Sequence, residues 1–368
     1  MKKNVVFVIL FFTVLGLFSL LTFLLPAKQS SDNENRVLAQ APEVTMDAVL
    51  NGQFQSDLVN FLSDQIPGRE LWIRGNTTIK KLLGKTEING VYLGKDGYLF
   101  QQFTEDSYSA KRRDTLFALI GNFAEKQSVP VTVMPVPTPS VVLVDKLPAN
   151  APIYDADNAW NRLQASVGQE HFIDLREAFL NADGQLFYRT DHHWTTQGAY
   201  LAYEAYCNAR GITPKPLSEF ALTAVSDQFY GTIYSKTLDS SIKPDTISAT
   251  KRLPSLQVKF DGKEVSGIYF EEKLSEKDKY AYFFGGNPGM VEIKTDVQNG
   301  KRLLILKDSF ANCMVPYLLG EYEEIVMLDL RYYNDKVSQV MEQSQITEVL
   351  FLYEMTNLLT DTGIAKLG

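Results

Sequence analysis

Apolar and polar positions divide the chain into stretches of different rhythm. From Val5 to Leu25 the sequence is uncharged and apolar, about twenty residues, long enough at ~1.5 Å rise per residue to span a hydrocarbon core of about 30 Å. The stretch from Ala27 to about Thr45 turns polar, with Ser30 to Asn35 entirely so, and predicts a linker. Phe54, Leu58, Phe61 and Leu62 then recur at helical spacing until Pro67-Gly68, and a second helix is expected from Leu71 to Leu83, ended by Gly84. Around Gly94-Lys95-Asp96-Gly97, the apolar runs of Val91 to Phe100 predict a hairpin.

Beyond it, helices and strands alternate. Lys111 to Gln127 carries Leu116, Leu119, Ile120 and Phe123 on one stripe, and Val129 to Val136 follows as a buried strand. Asn158 to Val167 predicts a helix, Glu170 to Leu175 a strand, and Thr196 to Arg210 a long helix with Thr195 or Thr196 as its N-cap. The rhythm returns with Arg302 to Leu306, a helix after Ser309, Glu324 to Leu328, Asp335 to Gln343 and Glu348 to Tyr353. Such alternation predicts an α/β fold around a parallel sheet. Residues 221–300 break it with short β-branched and aromatic runs between turns, which predicts antiparallel strands in an inserted β-rich subdomain or lid. The expected division is therefore 1–26 as cytoplasmic start and transmembrane anchor, 27–45 as linker, and 46–368 as one domain.

Composition adds three constraints. With 45% hydrophobic and 22% charged residues, the chain is ordinary globular material. A formal net charge of -8 and no dense basic cluster argue against nucleic acid as a partner. Lys2 and Lys3 ahead of the apolar run place the N-terminus inside and the body of the chain outside the membrane. A cleaved signal peptide is the alternative, but its apolar region typically runs only about 7 to 15 residues. Cys207 and Cys313 make neither a disulfide framework nor a zinc pattern; two buried thiols are expected, with a bridge between them left open.

Candidate chemistry gathers in two stretches. Of three histidines in the chain, His192 and His193 stand together in Tyr188-Arg189-Thr190-Asp191-His192-His193-Trp194-Thr195, and imidazole can exchange a proton with a hydroxyl near neutrality. Leu303 to Asn312 reads as a strand that ends in a polar turn holding Ser309 just before a helix, a position where free amides can stabilise an oxyanion. Adjacent residues of an extended chain point to opposite sides, so His192 and His193 are expected to serve different neighbours. With no spaced set of His and Cys ligands either, no metal is expected.

The Asp191-His192-His193-Trp194 run and Lys307-Asp308-Ser309-Phe310 resemble the bacterial DHHW family, which is similar to the alginate O-acetylation proteins and to SGNH hydrolases generally. The resemblance extends to Asn89 to Phe100 and covers most of the chain after the apolar run. It implies an SGNH-like three-layer α/β/α parallel sheet and a site of Asp191, His193 and Ser309, in which acid and base precede the serine. Lys-Asp-Ser stands here where the SGNH block has Gly-Asp-Ser.

The activity implied is O-acetyl transfer from Ser309 to hydroxyls of a cell-envelope polysaccharide, without a cofactor. A multi-spanning membrane O-acyltransferase is the implied source of acetyl groups. A carbohydrate esterase with the same three residues and a non-catalytic polysaccharide-binding or assembly protein are the alternatives. For the oxyanion, the Ser309 amide, Asn287 and Asn312 are candidates; for substrate contact, Arg331, His192 and Trp194. Arg331 reads equally as half of a structural ion pair, and Trp194 more as a packing anchor than a sugar platform.

Overall fold

The computed structural model describes residues 2–31, 33–34 and 36–367, without the side chains of Lys2 and Lys3. Met1, Gly368, and Asp32 and Asn35 of the expected linker lie outside the described residues. The chain divides into two compact units, one of residues 1–89 with 234–241, the other of 90–233 with 242–368. The boundary thus falls at Asn89, not near Thr45.

In the first unit, helix α1 (Lys2–Leu24) includes a stretch, Asn4–Leu24, long and apolar enough to cross a membrane. The helices that follow include α2 (Gln53–Gln65) and α3 (Arg69–Leu82). The expected linker is not a free tether, because its charges find partners on these helices. Arg36 pairs with Asp64 and Glu34, and Arg69 reaches back to Glu34 at 2.8 Å.

A seven-stranded mixed sheet forms the centre of the second unit. Its strands are β1 (Val131–Val136), β4 (Gln257–Phe260), β5 (Lys263–Val265), β6 (Met290–Lys294), β7 (Arg302–Lys307), β8 (Glu324–Leu328) and β9 (Glu348–Glu354), in the order β5-β4-β6-β8-β7-β9-β1. The four strands β8-β7-β9-β1 run parallel. Successive side chains of a strand face opposite sides, and here both sides are buried. Leu303, Ile305, Met327 and Leu350 pack with α6 (Thr196–Ala209) and α7 (Ala311–Leu318). Leu304, Leu306, Val326 and Phe351 pack on the other face with α4 (Ala110–Lys126), α5 (Ala156–Val167), α8 (Val337–Gln343) and α9 (Met355–Thr360). Burial on both faces explains why these strands read as continuous apolar runs.

Three expectations need correction. The sheet is mixed, because β6, β4 and β5 extend it antiparallel beyond β8. Residues 221–300 are accordingly not one separate subdomain: Val258, Val291 and Ile293 continue the core, and only β2 (Leu222–Phe229) and β3 (Asp245–Thr250) pair apart as a two-stranded sheet. Finally, Glu170 to Leu175 forms a short 3-10 turn and one bridge, Val133 to Phe172, in place of a strand. The hairpin is present, Val91–Leu93 pairing with Leu99–Gln101.

At the amino end of β9, buried Glu348 accepts from Tyr206 Oη at 2.5 Å, Arg210 Nε at 2.6 Å and Tyr322 Oη at 3.2 Å. Removing one partner of a buried charged network leaves the others unsatisfied. Glu348→Ala is therefore expected to destabilise the fold by about 2 to 4 kcal/mol in denaturant unfolding, while Lys259→Ala on the exposed side of β4 stays near wild type.

Candidate active site

The loop from Tyr188 to His193 is closed at its base by a bridge between Phe187 and Trp194, with Tyr188 N donating to His193 O and Thr195 N to Leu186 O. Thr195 then caps α6, its Oγ1 accepting from Gly198 N. Inside the loop Asp191 accepts from the main-chain amide of His193 at 3.0 Å, an Asx-type turn of the kind short acidic side chains favour. That turn bends the chain and overturns the expectation of opposed histidines. The two rings lie side by side, centroids 3.9 Å apart.

His193 joins the two sequence stretches. Its Nδ1 is 2.5 Å from Asp191 Oδ1 and its Nε2 is 2.7 Å from Ser309 Oγ. Asp191 is fully buried, and its other oxygen accepts from the amide and hydroxyl of Thr232 at 2.8 and 3.0 Å. Burial alone would raise the pKa of this carboxyl. The charges of His192 and His193, with the hydrogen bonds from His193 and Thr232, hold it well below the usual carboxylate range. Because Gly231 lies flat against Asp191, a Cβ there would collide with the carboxylate.

Ser309 follows β7 at the carboxyl end of the sheet, where loops of α/β folds collect functional groups. Its turn is held by buried Asp308, which accepts from Phe310 N at 2.9 Å, Glu354 N at 2.8 Å and Asn357 Nδ2 at 2.7 Å. Phe310, Ala311 and Asn312 amides are all bonded within this turn. Among the described residues the Ser309 amide has no acceptor, which leaves it free for an oxyanion. Tyr280 stacks on His193 at 3.8 Å and 13°, and donates its hydroxyl to Ser309 O at 3.2 Å. Phe310 packs near the imidazole from a second direction, at 5.0 Å.

The other candidates part company. Trp194 is fully buried against Phe179 and Phe310, with Nε1 donating to Phe310 O, so it packs the core and offers no face to a sugar. Arg331 binds Asp329 through Nε and Nη2 at 2.8 and 2.6 Å, and this ion pair accounts for it. Both Asn312 Nδ2 hydrogens go to Gly286 O and Asn287 Oδ1, so Asn312 is no oxyanion donor. Exposed Asn287 has its oxygen turned to Lys307 and Asn312, which leaves its amide nitrogen as a donor. His192 is half-buried and donates or accepts at Thr232 Oγ1, 2.9 Å away. Burial and the adjacent His193 push its pKa down to about 4.

Several participants carried no signal in the sequence. Thr232, Tyr280 and Asp245 lie far along the chain from the histidines, in no motif. Lys307 was visible only as a departure from the glycine pattern. Its buried ammonium contacts Asn312 Oδ1 at 2.7 Å and Asn287 Oδ1 at 3.2 Å, and burial brings its pKa down to about 8.

Asp191, His192 and His193 also offer ligand atoms within 4.8 Å of one another. Both ring nitrogens of His193 are already hydrogen-bonded, so a metal held there would break the contact with Asp191 or with Ser309. Cys207 and Cys313 are free and buried.

The model of the DHHW family, described as DHHW protein, matches residues 90–328, well over half of the chain. The chain belongs to the DHHW family. A crystal structure of a DHHW family protein from Eubacterium siraeum DSM 15702 is similar to this DHHW protein at a TM-score of 0.66 and 25% identity, covering 76% of this chain and 96% of that one. PatB1 of Bacillus cereus is similar in fold at a TM-score of 0.62 and 24% identity, over 73% of this chain and 97% of its own. A second PatB1 structure, with a sulfonyl adduct, gives 0.63 and 22%, over 74% and 97%. Among curated proteins, none matches the sequence.

The strand end bonded to the Ser309 turn through Asp308 carries a titrating neighbour. Burial pushes Glu354 up to about 7; Asp308 adds to the rise, against hydrogen bonds from Thr356 and Asn357. Because the folded value lies above the ordinary 4.5, the folded protein retains a proton that the unfolded chain has released between about pH 4.5 and 7. Stability is then fully present below about pH 4.5 and is lost as pH rises through about 7. Denaturant unfolding at about pH 5 and about pH 8 should show this fall, and Glu354→Gln should flatten it by on the order of 1 to 3 kcal/mol.

Proposed function

We propose that this DHHW protein is a membrane-anchored O-acetyltransferase with an SGNH-like site of Ser309, His193 and Asp191, acting outside the cytoplasm on hydroxyls of a cell-envelope polysaccharide. The observation that carries the reading is the continuous contact from the buried Asp191 carboxylate through both nitrogens of His193 to Ser309 Oγ. An ionised acid fixes the imidazole with Nδ1 protonated, which leaves Nε2 to take the serine proton.

In the first half-reaction Ser309 Oγ attacks the carbonyl carbon of an acetyl ester or thioester, and its proton passes to His193 Nε2. The tetrahedral oxyanion is received by the Ser309 amide, with Asn287 Nδ2 as the side-chain candidate. The bond to the leaving group breaks, that group takes the proton from His193, and acetyl-Ser309 remains. In the second half-reaction a sugar hydroxyl gives its proton to Nε2 and attacks the acetyl carbon. The bond between the acetyl carbon and Ser309 Oγ breaks, and Oγ recovers the proton from His193 Nε2. Water as acceptor turns the same steps into an esterase, the second reading. His192 and Asn287, half-buried and exposed beside the site, are the residues proposed to touch the acceptor. Under this topology α1 anchors the protein with its N-terminus inside, and a multi-spanning acyltransferase is the proposed donor partner, because acetyl-CoA stays in the cytoplasm.

A chromogenic acetyl ester tests the reading. Wild type should hydrolyse it slowly and give acetylated product faster when an oligosaccharide acceptor is added. Ser309→Ala and His193→Ala should each lose about 10³-fold or more, while His192→Ala keeps a substantial fraction. A sulfonyl fluoride should label Ser309 and leave Ser309→Ala unmodified by mass spectrometry. Equal turnover in wild type and Ser309→Ala would refute the assignment. Gly231→Ala, which crowds Asp191, is expected to lose about 10-fold or more, because small misplacements of a catalytic group carry costs of that order.

A further inference from the structure

Helix α3 has its amphipathic character turned outward. Arg74 donates to Tyr234 Oη at 3.1 Å, Thr77 Oγ1 to Thr237 O at 2.6 Å, and Lys81 Nζ to Asp239 Oδ2 at 2.6 Å and Ser241 Oγ at 2.7 Å. The polar side of the helix is thus the side packed within its own unit. On the opposite side, Leu71, Trp72, Ile79, Leu82 and Leu83 are 56 to 83% exposed. At 100° per residue these positions fall within one stripe about 120° wide. Large apolar side chains gathered on one exposed face mark a contact surface.

The covering medium is indicated by α1. The Trp72 ring meets Phe18 of that helix edge-on, centroids 5.7 Å apart, and Phe61 of α2 meets Phe23 at 6.1 Å. Phe18 lies six residues before Leu24, the end of α1, which is about 9 Å along its axis. Whatever surrounds the apolar helix at Phe18 also surrounds Trp72. An amphipathic helix lying in a membrane interface buries its apolar face by about 5 to 10 Å, the same depth. The indole N–H is already bonded to Pro67 O at 3.2 Å, which lowers the cost of taking the ring out of water.

We propose that α3 lies on the bilayer, with Leu71, Trp72, Ile79, Leu82 and Leu83 in the lipid interface, so that the unit docks flat on the membrane beside its anchor. The proposal rests on α1 being a membrane span. It gives the protein a second, non-spanning contact with lipid.

Tryptophan emission reads this directly. Of three tryptophans, Trp160 and Trp194 are buried and only Trp72 is exposed. The full chain is reconstituted into vesicles of zwitterionic and anionic phospholipid, with and without bromine on the acyl chains, and flotation is checked first. The expected result is emission lower by roughly a third in brominated vesicles, the share of one tryptophan in three, and no such difference in Trp72→Phe. Flotation without quenching overturns the proposal and leaves the anchor standing; failure to float removes both. A nitroxide on the cysteine introduced by Leu82→Cys should collide with oxygen more than with a water-soluble nickel chelate. Preference for nickel places the face in water, and spin–spin broadening places it against a second copy; either result overturns the lipid contact.

Discussion

Asp191 holds a negative charge where water does not reach, and much of the surrounding architecture follows from that. An isolated carboxylate in such a place is costly enough to be neutralised or expelled. Here it is retained because four donors converge on it, two from His193 and two from Thr232. The Thr232 donors come from the segment that interrupts the alternation of helices and strands, so this insertion completes the acid's environment. Close approach of the main chain at Gly231 is the geometric price of that completion, and only a residue without a Cβ fits there.

A second buried carboxylate braces the same loop from behind. Asp245 of β3 accepts from Gln185 at 2.9 Å, Arg189 at 3.1 Å, and the amide and hydroxyl of Thr190 at 2.8 and 2.7 Å. The Thr190 oxygen in turn accepts from Gly231 N at 3.1 Å. The two acids are therefore connected through Thr190 and the Gly231–Thr232 main chain, and the histidine loop is clamped between them. Asp308 does for the serine turn what Asp245 does for the histidine loop, tying β7 to β9 through main-chain and side-chain donors. Tyr280 spans both, with its ring on His193 and its hydroxyl on the Ser309 carbonyl. Fixing each partner through neighbours of its own is what sets the His193–Ser309 distance, since nothing in the local sequence of either stretch determines it.

These particulars explain what could be read from the chain. Burial on both faces makes a strand apolar throughout, so β1, β7, β8 and β9 and the helices between them were legible. Asp191, the histidine pair and Ser309 were legible as candidates, while the choice of His193 over His192 came from the resemblance to the DHHW family. The antiparallel direction of the strands at 257–265 and 290–294 was legible, but their membership of the main sheet was not, because an edge strand half-covered by the core has the same pattern as a strand of a separate subdomain. The side-by-side histidines were missed because one hydrogen bond, from His193 N to Asp191, replaces the extended backbone that the alternation argument assumes. Thr232, Asp245 and Tyr280 were beyond reach for a different reason. Each acts across 29 to 55 residues or more of intervening chain, and such contacts leave no local trace in residue type or spacing.

Two imidazoles beside one carboxylate raise the question of which one can act as a base. Thr232 Oγ1 has a single hydrogen, and the ionised Asp191 oxygen at 3.0 Å is the stronger acceptor for it. Thr232 Oγ1 must then accept from His192 Nδ1 at 2.9 Å, so His192 carries its proton on Nδ1. With its pKa pushed down to about 4 by burial and by His193, His192 stays neutral over the range in which imidazole ordinarily titrates. It does not compete for the charge of Asp191, and a positive charge developing on His193 meets no second cation next to it. The remaining lone pair of His192, on Nε2, is then an acceptor and never a donor. It suits a neighbour that brings its own O–H.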